Sequence, residues 1–238
     1  MSETTDIAAP RVPRRRIAVT TDGAVSTADG ADGADELAAA LRYSIRMAGQ
    51  IEPFLEIGRL QWLTALSGTA VTARVGHGAG EVLLTAEVEE RGTRQPPPVS
   101  VAAGGANTAI RKCLRRVRDD LYADWSAVMT WDKRIVGALL PEGSRSGSVD
   151  VGAVLPEVGL RLQAVLASLD ETSRDTAVVL EYRGGSLLAA AIEGDVLFAS
   201  ADKFDAEVAV PLIDRVRSVL APHDLDLVWT WGESWTQR

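Results

Sequence analysis

The chain writes nearly the same words twice, in the same order. "EIGRLQ" at 56–61 is answered by "EVGLRLQ" at 157–163, and "TAV" at 69–71 by "TAV" at 176–178. "LLTAEVEE" at 83–90 is answered by "LLAAAIEG" at 187–194, "RVR" at 116–118 by "RVR" at 215–217, and "VMTW" at 128–131 by "VWTW" at 228–231. Collinear matches with small gaps point to an internal repeat, and a repeat of roughly 100 residues is of domain size. Whatever one copy folds into, the other is expected to share its element order, and two such copies can pack around a pseudo-twofold axis.

Hydrophobic periodicity supplies that order. "DELAAALRYSIRMAGQI" puts Leu37, Leu41, Ile45, Ala48 and Ile51 on one helical face. "PFLEIGRLQWLTAL" (53–66) reads as a second helix opening on its proline, with Trp62 in its core. "TAVTARV" (69–75), "EVLLTAEVEE" (81–90) and "VSVAA" (99–103) read as strands, and "ANTAIRKCLRRVRDDLYADW" as a helix that turns Ile110, Cys113, Leu114, Val117 and Leu121 inward. "AVMTW" then closes the copy as a strand. The second half offers a helix at 155–169, a hairpin of 176–182 and 186–194 around Arg183-Gly184-Gly185, a strand at 196–200, a helix in "DAEVAVPLIDRVRSVLAPH" and a last strand in "DLVWTW".

The expected fold is therefore α+β: two duplicated α-β-β-β-α-β units, antiparallel sheets with helices packed on one face, in a pseudo-twofold arrangement. Residues 1–34 read as a disordered tail, too small and polar to offset the entropy of ordering, with "RRRIAVTT" (14–21) its one strand-like stretch. The first unit spans 35–140 with an extra N-terminal helix, the Gly/Ser-rich 141–150 forms a linker, and 151–238 is the second unit.

Composition narrows the function. A net charge of −8 opposes general affinity for nucleic acid or anionic membranes. Cys113 is the single cysteine, which excludes an intrachain disulfide and suits a reducing cytoplasm. The basic "RVPRRRIAV" is not followed by the apolar region of a signal peptide, and no apolar run approaches the roughly 20 residues of a membrane span. His77 and His223 have no Cys, His or acidic companions at a metal-ligand spacing. Phosphate-cradling loops and nucleophile elbows are absent, and Cys113 sits on an apolar helix face where a reactive thiolate is disfavoured. No catalytic residue, metal or cofactor is expected.

What remains are aromatic and basic surfaces. On a strand, Trp229 and Trp231 share a side with Leu227, as Trp131 does with Met129; that side is either the helix-facing core or an exposed apolar face suited to a partner chain. Trp235 lies beyond the strand in a polar tail. The helix bearing Arg111, Lys112, Arg115, Arg116 and Arg118 is either a solvated face or a contact for an acidic peptide.

A helix, a three-strand meander, a helix and a further strand, over roughly 53–131 and again 156–231, resemble the unit of type III secretion chaperones and YbjN-like proteins. The resemblance rests on element order, the duplication and the final aromatic strand, and the helix at 35–51 and the N-terminal tail fall outside it. It implies a non-catalytic, chaperone-like adaptor in a bacterial cytoplasm that holds a peptide or protein client. Trp229, Trp231, Trp235 and Trp131 are then its anchors and Arg115 and Arg116 its charge selectors, with β-augmentation at an edge strand as a further mode. Rival readings are an acidic immunity-type inhibitor of a basic toxin and a small-molecule enzyme with a site between the units. The oligomeric state is left open; a monomer containing its own pseudo-dimer fits the duplication.

Overall fold

A computed structural model describes residues 14–20, 24–27, 33–66, 69–76, 82–90, 105–141, 149–169 and 176–228. Its strands are β1 (Arg14–Thr20), β2 (Val25–Thr27), β3 (Leu60–Leu66), β4 (Thr69–Val75), β5 (Val82–Glu90), β6 (Trp125–Met129), β7 (Ile135–Leu139), β8 (Ala177–Tyr182), β9 (Gly185–Ile192) and β10 (Asp195–Ala201). The helices are α1 (Ala34–Gly49), the single turn α2 (Glu52–Leu55), α3 (Ala106–Leu121), α4 (Val151–Leu169) and α5 (Ala206–Leu220).

The α+β class holds, but the strands form one sheet instead of two. Its order is β2-β1-β5-β4-β3-β8-β9-β10-β6-β7, with every neighbouring pair antiparallel. Read inward from either edge the pattern is the same: two strands of a hairpin, then a three-strand meander, in the chain order ββαβββ. The strand order therefore has a twofold between β3 and β8, ββαβββ taken twice, where α-β-β-β-α-β was expected. The short sequence matches do not fall on this twofold. "TAV" lies on β4 in one half and at the start of β8 in the other, whereas sheet position equates β4 with β9. β6 and β7 precede the 141–150 linker in sequence, yet β6 pairs with β10 beyond it and carries β7 on its other side.

The cause of the shifted register is β3. Residues 53–66 were expected as helix, but the helix stops after one turn at Glu56, whose φ is +53°, and Gly58 follows at φ +75°. Leu60–Leu66 then pairs on both sides, with β4 and with β8, and these ladder bonds outweigh a modest helical preference. Glu52 Oε1 accepts from the Leu60 amide at 2.9 Å and fixes the change of direction. Trp62, expected in a helical core, lies instead on the open side of β3, 36% exposed, with the Arg74 guanidinium 5.5 Å from its ring centroid. Residues 14–20, read as tail, form a strand between β2 and β5. "VSVAA" and the "WTW" of "DLVWTW" lie outside the described residues; Leu225–Leu227 is a 3₁₀ turn.

Helices cover both faces, not one. Alternate residues of β8 divide between two cores: Val178, Leu180 and Tyr182 face α1 and α4, while Ala177 and Val179 face α3 and α5. This explains why β8, β9 and β10 are apolar at nearly every position, as strands buried on both faces must be. The first half alternates instead. Val71, Ala73, Leu84, Ala86 and Val88 are buried under α1, whereas Arg16, Trp62, Arg74 and Glu87 on the reverse side are exposed. α3 and α5 both lie over the second half and pack on each other.

The seam has two layers. In the sheet, Leu63 faces Leu180 and both are fully buried. Above it α1 lies along α4, where the Ser44 and Ser168 hydroxyls share a 2.7 Å hydrogen bond and the Tyr182 hydroxyl donates to the Ala48 carbonyl at 3.0 Å. The ladder continues past β3 through Arg183 N–H to Arg59 O (3.0 Å) and Gly184 N–H to Ile57 O (2.9 Å). A Cβ on Gly184 would sit 3.0 Å from the Ile57 carbonyl oxygen, so this close approach calls for glycine. α4 is apolar and long enough, by length and composition, to cross a membrane, but here its Leu155, Val158, Leu162 and Val165 are buried in the core it shares with α1 and the sheet. Leu180→Ala is expected to cost about 2–5 kcal/mol, as for other buried leucines. Because the seam joins the halves, urea unfolding followed by circular dichroism and by fluorescence should remain one coincident transition at a lower midpoint.

Candidate functional site

The β6–β7 turn is short and tightly bonded. The Thr130 amide donates to the Arg134 carbonyl (2.9 Å) and the Lys133 amide to the Thr130 carbonyl (2.9 Å), with Lys133 at φ +72°. The Thr130 hydroxyl donates to Asp132 and accepts from the Arg134 amide. Arg134 Nε donates to Asp132 Oδ2 at 2.6 Å, and its Nη2 reaches the Asp226 carbonyl at 3.0 Å. The turn is thus tied to the 3₁₀ segment Leu225–Leu227, itself capped by Asp224, whose side chain accepts from the Asp226 amide.

Trp131 stands at the head of this turn, not on a strand as expected, and its ring is turned outward while Met129 is fully buried. Both of its nitrogens are held. The backbone amide donates to Asp195 Oδ1 at 2.9 Å, and the indole Nε1 donates to Asp226 Oδ2 at 2.9 Å. The residue is nevertheless 63% exposed, and Leu227, next to Asp226 in the chain, is 77% exposed. A large ring with fixed orientation and an open face is the result, bordered by Asp132, Asp195, Asp224 and Asp226.

These carboxylates differ in acidity. Burial pushes Asp195 up to about 6; the Trp131 amide opposes that shift, while the negative charges of Asp226, Asp132 and Asp224 add to it. Asp132 is held below its ordinary value by the Thr130 hydroxyl and by Arg134. Arg134 is in turn raised, chiefly by its bond to Asp132.

The remaining residues singled out in the sequence separate. Trp229, Trp231, Trp235 and His77 lie outside the described residues. Arg115 and Arg116 are exposed on α3, away from the Trp131 turn in the chain, and Arg116 pairs with Asp120 along its own helix at 3.1 Å. The two "RVR" words do unlike work: Arg118 meets the neighbouring Asp119, whereas Arg217 donates to the Ala191 and Thr176 carbonyls at 2.9 Å and ties α5 to the sheet. Cys113 is buried as its helical position required, and burial drives its thiol up to about 11 against the pull of Arg116. His223 is half-buried beyond α5, its Nε2 without a partner among the described residues. Among the described residues no group of three or more His, Cys, Asp or Glu side chains is placed to hold a metal ion. Asp195, Asp226 and Arg134 were missed in the sequence because they come from three distant segments; the only local hints are the tight-turn word "EGD" and the aspartates of "HDLDL".

No family model matches the chain. No curated protein matches it either. Among solved structures it is similar to "MglB with tetrameric arrangement", at 14% identity and a TM-score of 0.35, over 53% of this chain and 95% of that one. It is also similar to the ligand-binding domain of the Campylobacter jejuni chemoreceptor Tlp3 in complex with L-valine, at 9% identity and a TM-score of 0.20, over 82% of this chain and 67% of that one.

Two predictions follow from the acidities. Asp195 has a folded pKa of about 6 against an ordinary 3.8, so its contribution is most favourable below 3.8 and is lost as pH rises through about 6. Asp132 has the opposite sign: its stabilisation is present above the ordinary value and is lost as pH falls below it. Asp195→Asn keeps an acceptor for the Trp131 amide. It should therefore be more stable than the parent at pH 7.5, with the gap closing towards pH 4, as read from urea midpoints across that range. Cys113 should resist alkylation at pH 8 in the native protein and react at once in urea, as followed by intact mass.

Proposed function

We propose that this protein is a non-catalytic, chaperone-like adaptor of the bacterial cytoplasm that holds a protein or peptide client, with the Trp131 turn as its anchor. The observation that carries this reading is the state of Trp131: mostly exposed, yet bonded through both its backbone and its ring nitrogen. A free surface tryptophan loses rotamer entropy when a partner arrives, whereas a ring already fixed loses little, and pre-organised aromatics are the residues that dominate binding energies. Leu227, which follows Asp226 in the chain, adds exposed apolar surface to the segment that holds the ring. Val228, whose carbonyl lies 3.5 Å from Arg134 Nη1, directly precedes Trp229 in the chain, so the tryptophan-rich 229–235 begins at this same corner. Arg115 and Arg116 offer a separate basic face for acidic parts of a client.

The acidic border of the turn also favours a second reading, an immunity-type inhibitor that grips a basic toxin, since carboxylates around an apolar centre suit a positive surface.

The test compares proteins captured from the native host by the immobilised full-length chain and by its Trp131→Ala variant, using quantitative mass spectrometry. A client bound through this turn should drop at least about tenfold in the variant, as expected for an anchor residue. The variant's melting temperature should stay close to that of the parent. Capture of the same proteins in the same amounts by both would remove the turn from the binding site.

A further inference from the structure

We infer that the segment docking on the Trp131 turn is an extended cationic peptide, one apolar side chain flanked by Lys or Arg; this deepens the adaptor reading and rests on it. The apolar element is the Trp131 ring, 63% exposed, with Leu227, 77% exposed, following its partner Asp226 in the chain. Around it the described carboxylates converge from three segments: Asp132 from the turn, Asp195 from the head of β10, and Asp224 and Asp226 from the 3₁₀ segment. Asp226, Asp132 and Asp224 lie close enough to Asp195 for their charge to add to the rise that burial causes in its carboxyl. Arg134 is the cation bonded within the group, and it is already engaged by Asp132 and by the Asp226 backbone and side chain. The Asp132 and Asp226 side chains nonetheless remain 35% and 45% exposed, and Asp224 is exposed, so each keeps lone pairs towards solvent.

Four carboxylates stand against two cations, Arg134 and the exposed Lys133, so the surface is net acidic and disfavours an acidic ligand. A Lys or Arg on either side of an apolar residue meets both elements at once. The other occupants fit less well. The chain's own residues 229–238 bring three tryptophans, but with one glutamate and one arginine they do not supply net positive charge. A second copy could present Arg111, Lys112, Arg115 and Arg116 of α3, but Arg116 already pairs with Asp120 and Asp119 and Asp120 lie on the same helix.

The probe is a short synthetic peptide with a central leucine between lysines and arginines, together with its counterpart bearing glutamate at each basic position. Each is titrated into the ¹⁵N-labelled full-length protein. The basic peptide should shift the Trp131 amide and indole signals, and the acidic one should leave them unmoved. Asp224→Asn keeps a good cap for the 3₁₀ turn and should weaken the basic peptide about two- to fivefold, the range for one exposed charge pair. Asp35→Asn, which makes the same charge change at the start of α1, should leave affinity unchanged. Equal weakening by both substitutions, or shifts spread evenly over the surface, would mean a general pull of net charge and overturn the proposal. Signals that shift with protein concentration alone, and stop doing so in an Arg115→Glu, Arg116→Glu variant, would make a second copy the occupant. If the basic peptide leaves Trp131 unmoved while Trp131→Ala still loses the host client, the adaptor reading stands and the cationic partner falls; if neither responds, both fall.

Discussion

Everything in this molecule hangs on the pairing of β3 with β8. That ladder turns two five-stranded halves into one sheet, sets Leu63 against Leu180, and brings α1 alongside α4 above them. Without it each half would end in an open strand lined with unpaired amides and carbonyls, a template for aggregation. Ser44 with Ser168 and Tyr182 with Ala48 then lock the helix layer to the same junction. Gly159 shows how tightly α4 sits on the strands beneath: a Cβ there would fall 2.6 Å from Met129 Sδ and 3.1 Å from the Phe198 ring.

The seam also explains which parts of the fold were legible in the sequence. The four long helices announce themselves because each is amphipathic or strongly apolar over fifteen or more residues. The β8–β9 hairpin is equally plain, with Arg183-Gly184 between two apolar runs. β3 is not. "LQWLTAL" spaces Leu60, Leu63 and Leu66 at intervals of three, which suit a helix better than a strand's period of two, and only partners on both sides, one of them far along the chain, override that signal. β1 was noticed only as a strand-like stretch of the tail, since its partner β5 lies far along the chain, and β7 was not read as a strand. Reading β3 as helix also moved the repeat by one strand, so that "TAV" was set against "TAV" when β4 belongs opposite β9 in the twofold. One signal was present and unused: the second half is apolar at consecutive strand positions and the first alternates, which already separates a doubly covered sheet from a singly covered one.

The candidate site was legible only in its centre. Trp131 stands out in any inspection of the sequence, but what makes it a surface feature is the pair of aspartates that hold it, 64 and 95 residues further on. No local pattern encodes that convergence. The cost of assembling it is visible in Asp195, a half-buried carboxylate held among other negative charges that favours the proton more than an ordinary aspartate does. Carboxylates perturbed in this way are enriched at functional sites and also occur in structural charge networks.

The twofold of the sheet has a consequence for valence. Two identical chains joined across a seam like this would show every corner twice and could bridge two partners. Here the turn that sheet position equates with the Trp131 turn joins β1 to β2, and its residues, Thr21, Asp22 and Gly23, include no aromatic. The strand order is symmetric about the seam, while the tryptophan of this turn stands at one corner alone. On the adaptor reading proposed above, a client held by that turn is held once per molecule.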